Sequence, residues 1–295
     1  MKNKLLKIFG IIVSIAIFPF IGVNEDSIYR MDIANNVNLF NFDSIRIIFS
    51  EPFSLLIAVF LKKIGLSDPF FFQLTLFLII LYCLSKIIKR RMYLFPVILF
   101  IPAINLLSFN IQPMMISLLI IYYILDLEKI NDLSYRKTSL LFLLAVMFHW
   151  SALLLTPFLL IRLGFYKTFF FLGVITINAS LSLFILDDIN VKLLSYTEAK
   201  NSISSIVHVY SSLLLALFFV LLNIFFRKNN AHLTSSNYLY IYLGALAILI
   251  INIVGYKAAS RFVFILDLFL IIDLIRYWLP TKIFNQKIYF HKIYT

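Results

Sequence analysis

The chain predicts an all-α fold, a polytopic bundle of helices that crosses a membrane many times. The first observation is composition: of 295 residues, 62% are hydrophobic and only 14% charged, with a mean hydropathy of +0.97. A soluble domain sits near about 45–50% apolar and about 25% charged. The second is recurrence. Apolar runs near 5–23, 52–66, 69–85, 93–108, 113–127, 138–161, 165–186, 206–226, 238–254 and 262–279 follow one another from end to end, about nine or ten segments on the scale of a spanning helix. The third is that no polar block between them is large enough for a separate soluble domain, so residues 1–295 read as a single transmembrane domain. Lipid offers the backbone no hydrogen-bond partner, so each run is read as helix, with Gly and Pro marking its ends or breaks.

The first run has a basic start (Lys2, Lys4, Lys7) like a signal peptide. No small-x-small site precedes Asn24, and further spans follow, so it is read as a retained first helix. The net charge of +12 comes from 26 Lys and Arg scattered in short loops, not gathered into a stripe. That pattern anchors helices at a membrane surface and argues against nucleic acid as a partner. Cys83, the only cysteine, lies in an apolar run, which removes disulfides and thiolate metal sites.

Orientation has two readings. If the amino terminus is cytoplasmic and every run crosses, the basic residues divide evenly between the two sides, with Lys86, Lys89, Arg90 and Arg91 all outside. That contradicts the positive-inside bias. If instead the 52–66 run, interrupted by Lys62 and Lys63, is a partial helix, and 138–161 is a broken hairpin bent near His149, most basic residues fall inside. The second topology is preferred, although functional cations on the outer face would produce the same imbalance. It turns four polar segments outward, near 24–51, 105–113, 187–205 and 255–261, and chemistry is expected there.

The segment 24–51 mixes Glu25, Asp26, Asp32, Asp43 and Glu51 with Arg30 and Arg46. Carboxylates beside arginines suit an enzyme that deprotonates a sugar hydroxyl while holding a phosphate, because Arg grips phosphate through a rigid fork. An ordinary solvated loop has the same composition. On a short interfacial helix Asp26 and Arg30 would share a face, as would Tyr29 and Asp32, which describes a base with an anion clamp and a surface ion pair equally well. Glu51-Pro52 marks the return to the membrane, where Pro suits a first helical position and an acid is favoured by the helix dipole.

An ionisable ring in an apolar run is expensive, so His149 is a first place to look for function. His149 and Ser151 are two apart and would diverge on a continuous helix, which disfavours a serine hydrolase. His208, His232 and His291 read as isolated, and no metal site is expected. Asn105, Asn110 and Gln112 flank Pro113 at an outward helix start, where amides can read sugar hydroxyls or simply satisfy a helix end. Lys257 and Arg261, four apart in GYKAASRF, can form a pyrophosphate site or snorkel at the interface. The segment 187–205, with Asp187, Asp188, Lys192, Tyr196, Glu198 and Lys200, reads as a lid over a sugar chain or as a tether.

The run FHWSALLLTP (Phe148 to Pro157), Glu51-Pro52 after a polar segment holding Asp26 and Tyr29, and Arg261 opening the last helix together resemble the EpsG family, whose members are Wzy-type polymerases of surface polysaccharide. The resemblance covers the layout of most of the chain, and FH-x-SAL is its most distinctive part. It implies a glycosyltransferase of GT-C type in the bacterial inner membrane. Such an enzyme joins oligosaccharide repeat units carried on undecaprenyl diphosphate at the outer face, with no nucleotide sugar, metal or other cofactor. A chain-length regulator protein is a further partner the resemblance brings in. The family's His and Ser fall on His149 and Ser151. Its Arg-Gln at the helix after the fourth span becomes Asn110-Ile111-Gln112-Pro113 here, so phosphate binding must move to Lys257, Arg261 or Arg30.

The expected mechanism has Asp26 or Asp32 as base, Lys257 and Arg261 offsetting charge on the departing diphosphate, and His149 orienting substrate or holding a broken helix. Two other functions compete. A flippase or transporter would move the lipid-linked sugar without making a bond, but the chain reads as short for that architecture and poor in intramembrane charges. A membrane acyltransferase modifying surface sugars would want a catalytic His near basic residues.

Overall fold

The computed structural model describes residues 2–21, 23–36, 52–88, 91, 93, 112–129, 135–156, 203–226 and 231–278. Arg46, Glu51, Asn105, Asn110 and nearly all of 187–205 therefore lie outside the described residues, as do the runs at 165–186 and most of 93–108. Among the described residues every regular element is a helix: α1 (Lys2–Ile17), α2 (Glu25–Asn36), α3 (Pro52–Lys63), α4 (Pro69–Ile87), α5 (Gln112–Lys129), α6 (Tyr135–Phe148), α7 (Ile203–Phe226), α8 (Ala231–Ile253) and α9 (Tyr256–Asp273), with short 3₁₀ and π turns between or after them.

Two of them, α4 and most of α7 (Ile203–Phe225), are long and apolar enough to cross a membrane. The outer face of α7 carries Val207, Leu214, Phe218, Leu221 and Phe225, all exposed and spaced at three, four and seven residues. Such a stripe is a liability in water and an ordinary surface in lipid. Shorter apolar helices run over Leu5–Ile17, Gln112–Leu125, Lys137–Phe148 and Asn237–Ile253.

Local chemistry sets the ends. Asn24 opens α2 by accepting the Ser27 N–H on its side-chain oxygen at 2.7 Å, and its own N–H donates to Gln73 Oε1 of α4 at 2.9 Å. Part of the polar segment 24–51 is thus a short helix docked on α3 and α4. Lys62 Nζ donates to the Ala34 and Asn35 carbonyls, placing a cation on the carbonyl end of α2. The α3 helix has 12 residues, about 18 Å, which is short of the hydrocarbon core of about 30 Å. It ends in a Schellman turn: Gly65 at φ 85 donates to the Lys62 carbonyl while Leu66 donates to Leu61. Asp68 then caps α4 through Phe70 N–H, with Pro69 at its first position.

The amino-terminal helices pack around aromatic contacts, Phe18 stacked on Phe77 and Phe53 on Phe148. The α7, α8 and α9 helices each pack on the other two, most extensively α7 on α9, with Asn223 donating to Asn237 across the α7–α8 pair at 2.8 Å and Gly255 at φ 105 turning α8 into α9. The two groups meet at Asp273. It is fully buried, and its carboxyl accepts the phenol hydrogens of Tyr122 from α5 and Tyr240 from α8. Arg276, in the π turn Leu274–Trp278, lies over the Tyr122 ring. Arg91 donates to the Ile275 carbonyl, which ties the carboxyl-terminal ends of α4 and α9.

A buried acceptor that loses its donor bears its own desolvation. Tyr240→Phe is therefore expected to destabilise the protein by about 1–3 kcal/mol, and Tyr122→Phe by a similar amount. Thermal unfolding in detergent measures both, and the double variant tests whether the phenols act as one unit.

Candidate functional site

The apolar run 138–161 is not one helix. The α6 helix stops at Phe148, His149 takes an extended backbone (φ −163, ψ 133), and Trp150–Leu155 continues as a 3₁₀ turn. His149 Nδ1 accepts the Ser151 N–H at 3.1 Å, so the ring caps the turn that follows it. The break expected near His149 is present, while the return limb of the hairpin lies beyond Thr156, outside the described residues. Two side chains from other helices take up the freed carbonyls. Ser117 of α5 donates to His149 O at 3.1 Å, and Tyr242 of α8 donates to Leu154 O at 2.7 Å.

Polar side chains without partners gather on these same elements. Gln112 Nε2 and Oε1, Ser151 Oγ and Thr156 Oγ1 are buried and have no hydrogen-bond partner among the described residues. Gln112 and Ser151 were marked by the sequence as substrate groups, and Thr156 was not. Gln112 begins α5 as expected from Pro113, but its amide is 1% exposed and satisfies no helix end. The stacked Phe53 and Phe148 bring the start of α3, and with it Pro52, beside this break.

The predicted base and clamp of the first polar segment sit elsewhere. Asp26, Arg30 and Asp32 lie on α2, which docks at the Lys62 end of α3, whereas the His149 break adjoins its Phe53 end. Asp32 is exposed and Arg30 half-buried. The α2 helix does put Asp26 and Arg30 four apart on one stripe, as the spacing required.

Lys257 and Arg261 belong to the first turns of α9, which starts at Tyr256, earlier than the apolar run at 262 indicated. Their spacing of four then gives them a common side of the helix. Lys257 is exposed. Just before it, Tyr256 Oη lies 2.9 Å from Tyr210 Oη of α7. That hydrogen bond, with smaller contributions from burial and the neighbouring phenol, moves Tyr256 ionisation upward.

One reading of the sequence needs correction. His208 is not isolated: its Nε2 is 3.0 Å from Asp267 Oδ2, and Ser212 Oγ donates to the same oxygen at 3.0 Å. Asp267, Asp273 and Arg276, which the sequence reading did not single out, all enter the helical packing. The signal that could have found them is the carboxylates at 267 and 273 inside the run 262–279, since acids in apolar spans are rare without a role. No group of three or more His, Cys, Asp or Glu suited to a metal occurs among the described residues. No family model, curated protein or solved structure matches the chain.

The cap at His149 separates two roles for the ring. His149→Asn, which retains a capping acceptor, is expected to keep the stability of the parent, while His149→Ala costs about 0.5–2 kcal/mol. Thermal unfolding reads that difference. Equal losses in both variants would mean that the imidazole itself, not the cap, holds the break.

Proposed function

We propose that this protein is a polytopic glycosyltransferase of the bacterial inner membrane that joins undecaprenyl-diphosphate-linked oligosaccharide units into a surface polysaccharide, built on a GT-C-like bundle. The reading is carried by the orphaned polar groups at the broken run. Buried hydrogen-bonding groups in native proteins are nearly always partnered, and an exception calls for a reason. Gln112, Ser151 and Thr156 are uncharged, buried and unpartnered beside a step of irregular backbone. Membranes tolerate such backbone where protein buries it or where it lines a cavity. A ligand rich in hydroxyls would satisfy both the amide and the two hydroxyls.

The rest of the chemistry follows from charge. The reaction breaks a bond between an anomeric carbon and a diphosphate, so negative charge grows on the departing carrier. Lys257 and Arg261, on one side of the start of α9, are suited to offset it. The membrane lipid carrier explains why these cations belong to the rim of an apolar bundle. Outward-facing polar segments at 24–51, 105–113, 187–205 and 255–261, a partial α3 and the break at His149 fit the topology with most basic residues inside.

A second reading has one observation behind it. The carboxylates Asp267 and Asp273 inside the helical packing are the kind of group an ion-coupled carrier uses. Such a protein would move the lipid-linked sugar across the membrane without extending it. The two readings separate in a cell lacking the gene: a polymerase defect leaves single repeat units on the surface, whereas a transport defect leaves them unexported.

Two substitutions test the assignment of roles. Arg261→Ala is expected to reduce polymer formation by about 10²–10³-fold in reconstituted vesicles, the scale of one lost charge-stabilising donor. Gln112→Leu should leave stability unchanged or improved, because it removes an unsatisfied buried amide, while polymer formation falls. An electrophoretic ladder and a melting curve on the same preparations check both. Unaltered ladders from both variants would remove the diphosphate and hydroxyl assignments together.

A further inference from the structure

The geometry points to His208, held by Asp267, as the base that takes the proton from the acceptor sugar hydroxyl, a catalytic residue for the reaction proposed above and resting on that reading. The argument begins with which groups can still do chemistry. Asp273 is fully buried and engaged by two phenols, with no open side for a substrate. Asp267 and His208 are different. Their side chains retain 15% and 19% of their exposure, so the pair is packed yet reachable.

Its hydrogen bonds also define its direction. His208 and Ser212 are four apart on α7 and converge on one oxygen of Asp267 from α9. With Nε2–H donating to Asp267, the lone pair of the neutral ring lies on Nδ1, which has no partner among the described residues. Ser212 donates to Asp267, not to the imidazole, so its hydroxyl is not set up as a nucleophile. The arrangement therefore suits proton transfer to an oxygen that arrives with the substrate.

The same helix supplies the complementary charge. Arg261 and Lys257 precede Asp267 on α9 by about 9 and 15 Å of helix rise, a separation on the scale of a sugar ring joined to a diphosphate. Between α7 and α9 the Tyr210–Tyr256 phenol pair adds polar groups without charge. Among the described side chains, the groups that titrate or carry charge along this part of the α7–α9 packing include His208, Asp267, Tyr210, Tyr256 and Lys257. By contrast Asp26 and Asp32 lie on α2, docked against α3 and α4. The α9 helix packs on α7 and α8 and, over a smaller area, on α5.

The step balances within the reactants. Nδ1 of His208 accepts the hydroxyl proton as the acceptor oxygen bonds to the anomeric carbon of the growing chain. The bond from that carbon to the diphosphate oxygen breaks, and its electron pair leaves with the carrier diphosphate beside Lys257 and Arg261. Asp267 stabilises the imidazolium until the proton passes to water. Asp267 is a positioning residue here, since it acts through the ring.

The test uses the full chain in vesicles, supplied with carrier-linked oligosaccharide extracted from cells deleted for the gene. The parent protein must first produce a ladder; its failure to do so would sink the polymerase reading itself. Given a ladder, His208→Gln is expected to lower elongation by about 10²–10⁴-fold. Asp267→Asn should slow elongation and move the acid limb of the rate–pH profile to lower pH, because the imidazolium loses its carboxylate. A merely structural contact would not move that limb, so this profile decides the matter even if His208→Gln fails to insert. A full ladder from His208→Gln, or an unshifted acid limb for Asp267→Asn, would overturn the assignment.

Discussion

A carboxyl group with no exposed surface holds the two groups of helices together. Asp273 closes α9 and receives one phenol from α5 and another from α8, so the consecutive pair α8–α9 and the sequence-distant α5 meet on one side chain. Apolar packing alone is non-directional, and in lipid it supplies little preference for one helix register over another. Two phenol donors on one acceptor are directional. They specify which face of α5 turns toward α9, and the Arg276 guanidinium over the Tyr122 ring adds a charge of opposite sign nearby. The Asp273–Tyr122 contact therefore sets where the Gln112 end of α5 lies relative to the cations at the start of α9.

With that register set, the interrupted elements become intelligible. A helix that stops inside a packed bundle leaves buried carbonyls that other parts of the protein must satisfy. At His149 the solution is local and tertiary at once: the imidazole caps the next turn, Ser117 takes the His149 carbonyl, and Tyr242 takes that of Leu154. The short α3 helix starts beside the same region and meets it through the Phe53–Phe148 stack. Backbone groups at the break are thus provided for, while Gln112, Ser151 and Thr156 are not. That division separates what the fold needs from what a ligand could use.

Much of this was legible in order along the chain because the responsible signals are local. Periodicity and length located the helices; Pro52 and Pro69 marked two starts, and the polar residues at 25–32 behaved as a short helix because their spacing allowed one. The break at His149 was also readable, since a polar ring interrupts the apolar run. Partners were not. His208 meets Asp267 across 59 positions and Tyr122 meets Asp273 across 151, and nothing next to either residue announces its partner. Gln112 shows the same limit, as Pro113 predicts a helix start but says nothing about whether the amide before it turns inward. Apolar spans were weighed for length and their acids were passed over, although an acid in such a span carries its own signal.

The last helix shows how one element can serve both stability and chemistry. At the amino end of α9, Gly255 turns the chain and Lys257 lies exposed. In its middle Asp267 is shared between His208 and Ser212 yet stays reachable, and at its carboxyl end Asp273 is sealed. Exposure decides what each acid can do. A sealed carboxyl with two donors is held in place, because displacing it would orphan two phenols in an apolar interior. The partly covered carboxylate beside the imidazole can still be approached by a polar ligand. Fixing one end rigidly also holds the middle of the helix, since Asp267 on a drifting helix would lose its alignment with the His208 ring and the Ser212 hydroxyl of α7.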